Sequence, residues 1–231
     1  AGTGVLSWSA PTMSPNNLIT FTEDFMSDAF TGSLSGLGPY QITQSGAGAA
    51  WSIRSSEANH WGICRFSTGT TATGRGGILA HNSCVFLGTT DAVYECAFRI
   101  QQLGTAGTQE TTIRMGWMDE TSIDPANGMY FRIDLDGTPE FFMTRKSGGL
   151  ESSSGTGVFA AINTWYYLRL EYRVATNQTH YFINNVDKGL LSLLFAVDIG
   201  VGLQIEKTVG ITAHTAEWDY FHTHMILPTG R

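Results

Sequence analysis

The sequence predicts an all-β domain, a sandwich or a barrel, preceded by an extended arm. The first observation is alternation. In the stretch 163–185, Tyr166, Leu168, Leu170, Tyr172 and Val174 fall on one side. Trp165, Tyr167, Arg169, Glu171 and Arg173 fall on the other, which is the period of two of a half-buried strand. The second is spacing: about twelve short strand-like segments lie between turn-rich stretches. The third is composition. Only 14% of the 231 residues are charged, 27 are Gly and 12% are aromatic. That suits many strands and tight turns rather than helices, and no window of about 12 residues carries a 3.6 period.

Residues 1–20 carry no charge and no clean period, and hold Val5, Leu6, Trp8, Met13 and Leu18. A lone arm cannot bury such side chains by itself, so this one is expected to mediate assembly, as a homo-oligomer or an anchor. The body is 21–231. Residues 21–30 open it as an edge strand or a turn of helix, and 36–39 form a loop. Strands are expected at 40–44, 50–53 and 61–66. The Gly-rich run 67–77 is a polar loop, not a phosphate cradle, since no strand–loop–helix context surrounds it. Tyr94, Cys96, Phe98 and Ile100 alternate with polar partners, as do Ile113, Met115 and Trp117, and Met129, Phe131, Ile133 and Leu135. Asp136-Gly137 is a turn signal, and 140–144 returns. Residues 146–157 read as a mobile surface loop. The stretch 163–185 reads as a hairpin in the middle of a large sheet, turning at 175–178 and closing on Asn184 and Asn185, which tolerate left-handed backbone. The last strands lie within 200–220.

A net charge of −7 argues against nucleic acid as the main partner. No apolar run approaches the ~20 residues of a membrane-spanning helix. No basic and apolar leader is visible, and the chain begins Ala-Gly as if an initiator Met had been removed. Cys64, Cys84 and Cys96 match no zinc spacing and are expected to be buried free thiols. Asn177-Gln-Thr179 is a glycosylation sequon, of consequence only in a eukaryotic secretory pathway.

Several motifs carry a resemblance. SEANH (Ser56 to His60) precedes RFSTGTTATGR (Arg65 to Arg75). NGMYF, NTWYYL, YFIN and EWDY follow from Asn127, Asn163, Tyr181 and Glu217. Together they resemble the concanavalin A-like (laminin-G-like) jelly roll of bacteriophage virion structural proteins, over roughly residues 21–225. The resemblance implies two stacked antiparallel sheets, one of them concave. It also implies a virion-surface protein, made in the host cytoplasm, that serves as head decoration, head fibre or tail adhesin. Its partners would be other virion proteins and host-surface glycan.

Glycosidases of this fold use Glu-x-Asp-x-x-Glu on one strand. Here Glu217 and Asp219 are followed by His222 and no third carboxylate, so the acid/base pair is incomplete. Alginate-lyase relatives need a Gln-x-His, and Gln204-Ile-Glu206 lacks the His. The expectation is therefore no enzyme and no catalytic residue. The rival classes are a polysaccharide hydrolase or lyase and a free carbohydrate-binding module. His222 and His224 share a strand face and could hold a metal, but no third ligand can be named. A structural calcium would take Asp24 and Asp219; no cofactor is expected. Arg114, Arg132, Asp134, Arg169, Glu171 and Arg173 lie opposite apolar positions, as cross-strand ion pairs would. With Tyr130, Trp165 and Tyr167, they also suit a ligand face: aromatic planes stack on sugars while charged groups fix hydroxyls. The candidate face is Arg114, Tyr130, Arg132, Trp165, Tyr167 and Arg169.

Overall fold

The structure is a computed structural model that describes residues 18–25, 40–60, 62–122, 124–193 and 198–226. Among these residues there are fifteen strands and no helix. They are β1 (Leu18–Glu23), β2 (Tyr40–Ser45), β3 (Ala50–Arg54), β4 (Ile63–Ser67) and β5 (Gly74–Phe86). Then come β6 (Asp91–Ile100), β7 (Glu110–Met118), β8 (Gly128–Asp134), β9 (Glu140–Ser147) and β10 (Leu150–Phe159). The last are β11 (Tyr166–Arg173), β12 (Gln178–Ile183), β13 (Val186–Ser192), β14 (Asp198–Val209) and β15 (Thr215–Ile226).

All strand pairs are antiparallel, and they form two sheets. The eight-stranded sheet runs β13-β12-β11-β6-β15-β4-β3, with β1 also on β15. The seven-stranded sheet runs β10-β9-β8-β7-β14-β5-β2. The apolar sides predicted by alternation meet between them. Tyr94, Phe98, Leu168, Leu170 and Tyr172 come from one sheet; Ile113, Trp117, Phe131, Leu203 and Ile205 come from the other. Aromatic edges lock the layers: Phe131 meets Tyr181 at 5.2 Å and 86°, and Tyr94 meets Trp117 at 6.4 Å. The Tyr181 hydroxyl donates to the Thr144 carbonyl at 2.7 Å, so its polar end is also used inside the sandwich.

The hairpin of β11 and β12 pairs Leu168 with Ile183 and Tyr172 with Thr179. Asn177, Asn184 and Asn185 take φ of 55°, 51° and 64°, the left-handed values their side chains tolerate. The hairpin lies near one edge of its sheet rather than in the middle, because β13 adds only one strand beyond it. A larger difference concerns 146–157. Its Ser and Gly content suggests a loop, yet β10 pairs with β9 through a turn at Gly148 and Gly149. β10 is an edge strand with mostly exposed side chains, so hydrophobic alternation could not reveal it. β1 begins at Leu18, three residues inside the stretch assigned to the arm. Val5, Leu6, Trp8 and Met13, the loop 36–39 and Trp61 lie outside the described residues. Cys64 and Cys96 are buried and form no disulfide; the side chain of Cys84 lies outside the description.

Candidate functional site: an aromatic platform on the eight-stranded sheet

The six residues of the expected ligand face do not meet. Arg114, Tyr130 and Arg132 sit on β7 and β8, and point outward from the seven-stranded sheet. Trp165, Tyr167 and Arg169 belong to the β11 side, on the opposite outer face. Alternation fixes which residues share a side of a strand, but not which of two sheets the strand joins.

On the seven-stranded sheet, residues 119–122 and 124–127 lie across the outer face. Gln204 donates to the Thr121 carbonyl at 2.8 Å, and Arg75 donates to the Ser122 carbonyl. Arg114 reaches Gln204 at 2.7 Å, Glu206 at 3.0 Å and Asp124 at 2.9 Å, while Lys146 also binds Asp124. Beneath these segments, Tyr130 packs with Leu79 and Met118 in a small second core. Burial pushes its hydroxyl up to about 12. Arg132 pairs with Asp134 at 2.9 Å and with Glu151, over the Phe142 ring. This side is thus engaged with itself.

The outer face of the eight-stranded sheet is built in rows set by strand register. In the first, Arg99 of β6 lies opposite Glu217 of β15, which lies opposite Arg65 of β4. Glu217 is fully buried. It accepts from Arg54 at 2.6 Å, Arg65 Nε at 2.7 Å, Arg99 Nε at 2.5 Å and Gln101 at 2.8 Å. Burial alone would raise its carboxyl, but the arginine hydrogen bonds overturn that and hold it below its ordinary value. Arg99 also forks onto Glu57 at 2.6 and 2.7 Å. Trp165 closes this row, with His60 stacked on it at 4.0 Å and the Arg99 guanidinium 4.6 Å from its ring. Its ring serves the charge cluster.

Asp219 does not extend the row as a second carboxylate. The register shifts between Trp218 and Tyr220, so Asp219 is the extra residue of a bulge, and it pairs with His60 Nδ1 at 2.9 Å. Both carboxylates of this stretch are thus engaged in the outer cluster, Glu217 by arginines and Asp219 by the His60 that stacks on Trp165. Asp219, proposed as a calcium donor, is engaged by His60; Asp24 is exposed. Among the described residues no group of three or more His, Cys, Asp or Glu converges as metal ligands would.

The second row is Tyr167, Ala97 and Tyr220, on β11, β6 and β15. Ala97 offers only a methyl group and is fully buried, whereas Tyr167 is 46% exposed. The two phenols therefore present an aromatic surface over a small-residue floor. Burial pushes the Tyr220 hydroxyl up, with Cys96, Glu95, Tyr167 and Asp219 adding to it. Asn184 clamps the Tyr167 backbone on both sides, at 2.9 and 2.7 Å. The third row is Phe182, Arg169, Glu95 and His222. The Arg169 guanidinium lies 4.2 Å from the Phe182 ring and reaches Glu171 at 3.3 Å. His222 bonds Thr22 at 2.8 Å and His224 at 3.3 Å. An aromatic platform rimmed by guanidinium, carboxylate and imidazole can stack on a sugar face and hydrogen-bond its hydroxyls.

Tyr220, Ala97 and Glu95 were missed from the sequence. The bulge hides Tyr220, because strict alternation from Glu217 sends it inward. Ala97 and Glu95 stood in the sequence as the polar-side partners of Cys96 and Phe98, but nothing marked which strand lay beside β11.

The histidines set an acid limit. Burial holds His214, His222 and His224 below the ordinary 6.5, with the Lys207 charge adding to it at His214 and the His222 charge at His224. Each binds its proton more readily unfolded than folded, so stability is full above about pH 6.5 and falls as pH drops below it. Urea midpoints should decline from pH 7.5 to 5.5; a flat profile over that window would contradict the burial of these rings.

The two antiparallel sheets form a lectin-like jelly-roll sandwich. Residues 59–219 match the family described as SO2946-like, C-terminal domain, and the chain belongs to that family. Its structure is similar to that of SO2946, a protein of unknown function from Shewanella oneidensis MR-1. The TM-score is 0.65 at 14% identity, covering 100% of this chain and 99% of that one. The carbohydrate recognition domain of Emp47p aligns with TM-score 0.60 and 13% identity, over 91% and 95% of the two chains. A carbohydrate esterase from Shiga toxin-encoding bacteriophage phi24B aligns with TM-score 0.55 and 14% identity, over 90% and 97%. No curated protein matches the chain.

Proposed function

We propose that this is a non-catalytic, glycan-binding domain of a bacteriophage particle, acting as head decoration, head fibre or tail adhesin. The observation that carries the binding role is the Tyr167–Ala97–Tyr220 row, an aromatic platform with Tyr167 exposed, Tyr220 half-buried and polar groups along one side. The carbohydrate recognition domain among its structural neighbours supports a glycan as ligand. The virion setting is supported by the SEANH and STGTTATGR stretches and by the phage esterase of the same fold. In this setting the protein is made in the host cytoplasm and displayed on the particle surface. Residues 1–20 join copies of the chain to one another or to other virion proteins.

A hydrolase or lyase of the kinds weighed from the sequence would work through Glu217, or through the Gln204–Glu206 stretch. Glu217 accepts from four side chains at once. On the other face, Gln204 and Glu206 are both bound to Arg114 beneath residues 119–122 and 124–127. These groups are occupied in ways that suit structure better than turnover.

The test is a glycan array followed by titration of the best ligands. Tyr167→Ala and Tyr220→Ala should each weaken binding about tenfold, the scale of one aromatic contact. Wild-type affinity in both variants would remove the platform from the function. Sedimentation of the same protein with and without residues 1–20 tests assembly, and an unchanged oligomeric state would exclude the arm.

A further inference from the structure

Glu95 stands out on the platform because of what surrounds it. It is partly buried on β6, beside Ala97 and in the row of Arg169 and His222. Yet its carboxylate makes no hydrogen bond or ion pair with any described residue. The neighbouring cations make their ion pairs elsewhere. Arg169 pairs with Glu171 at 3.3 Å and lies over the Phe182 ring, although its buried Nε makes no hydrogen bond. Arg173 is spent on Glu171 at 2.8 Å and Asp91 at 3.5 Å. His222 uses both ring nitrogens, on Thr22 and His224; the Glu95 charge favours the protonated form of both imidazoles, but burial outweighs it. The outward carboxylates here are Glu95, Glu171, Asp91 and Asp187, against the guanidiniums of Arg169 and Arg173. Asp187 bonds His180 at 3.1 Å, and Glu95 is the carboxylate of this group that makes no ion pair with a described residue.

We propose that Glu95 makes the platform selective for a saccharide carrying a protonated amine. This rests on the glycan-binding role proposed above and names its ligand class. A partly desolvated carboxylate without a partner is unfavourable, so a cation arriving there gains a charge-assisted hydrogen bond. Tyr167 and Tyr220 work in the same direction, because the faces of aromatic rings are negative and attract an ammonium group. An acetamido group gains neither effect, and an acidic sugar is repelled. An amino sugar matches both parts of the site: its ring lies on the phenols and its ammonium reaches Glu95.

The experiment compares two oligosaccharides of one backbone, a chitosan pentasaccharide with amines and a chitin pentasaccharide with acetamido groups. Each is titrated calorimetrically into the full chain. The amine form should bind at least about tenfold more tightly, as expected for a hydrogen bond between charged groups. Glu95→Gln keeps the shape and should bring the amine form down to the level of the acetylated one. Tyr167→Ala should weaken both forms. Glu95→Ala is the second variant, and thermal melting confirms that each remains folded. Equal binding of the two forms, or wild-type preference in both Glu95 variants, overturns the inference and leaves the platform in place. Binding of neither form, with neutral glycans still retained on the array, also overturns it. Absence of binding to any glycan overturns the underlying function as well.

Discussion

Glu217→Gln is expected to lower the unfolding free energy by about 3–5 kcal/mol, the range found when one partner is removed from a buried ion pair. The carboxylate is fully buried and both its oxygens are used: Oε1 by Arg54 and Arg65, Oε2 by Arg99 and Gln101. An amide offers one acceptor where two were needed. Its NH2 group would face arginine donors that have nowhere else to point. Arg99 suffers most, since its side chain is only 8% exposed. Arg54, at 36%, can turn to water, and its share is discounted accordingly. Urea unfolding at neutral pH measures the effect, and a loss below about 1 kcal/mol would show the network to be slack. The same pairing predicts a second acid step. Glu217 stabilises the fold above its ordinary value of 4.5, and that contribution is lost as pH falls through its lower folded value.

The second large effect is expected at Gly74, where β5 begins. A Cβ built there would lie 1.8 Å from the Thr68 carbonyl oxygen, which belongs to backbone and cannot rotate away. Gly74→Ala should therefore cost about 3 kcal/mol or more, at or above the top of the usual range for overpacking. The loop between Thr68 and Gly74 would have to lift, and it is well anchored. Thr68 Oγ1 accepts from His214 N at 3.0 Å, and the buried Lys207 ammonium donates to the Gly69 carbonyl at 2.5 Å. At Gly69, with φ of 69°, a Cβ would likewise lie 2.4 Å from the backbone of Gly48 and Ala49. Thermal melting decides the point, and a Gly74→Ala midpoint within a degree or two of wild type would refute it. The glycines of the STGTTATGR stretch thus answer to close backbone approach, which explains a Gly-rich run with no phosphate to cradle.

Much of the fold was legible because one physical signal carries it. In β6, β8 and β11, where one side of the strand faces the core, alternation gave the strand and its inward residues. β5 also reaches the core, through Ile78, Ala80 and Val85, but its glycines placed 74–77 in the loop expected over 67–77, where the structure has strand. β10 and β13 are edge strands held by backbone pairing, with little apolar patterning, and were not seen as strands. The site was half legible. Trp165, Tyr167 and Arg169 were correctly placed on an outward side, but Arg114, Tyr130 and Arg132 were grouped with them. No local pattern tells a strand of one sheet from a strand of the other, since that depends on pairings between distant segments. The charged network around Glu217 was equally hidden, because Arg54, Arg65, Arg99 and Gln101 come from three strands and a strand end.

The bulge at Asp219 has a consequence beyond its own pair with His60. It resets the phase of β15, so one continuous strand is read in two frames. Upstream, odd positions face outward and deliver Glu217 to the arginines; downstream, even positions do so and deliver Tyr220, His222 and His224. Removing that single residue would transpose the downstream half, sending Tyr220 into the interior and Phe221 to solvent. The inserted residue thus works as a mechanical clutch between two sections of the same strand. Evolution can alter the section that carries Tyr220, His222 and His224 without disturbing the charged anchor beside it, provided the clutch residue is kept.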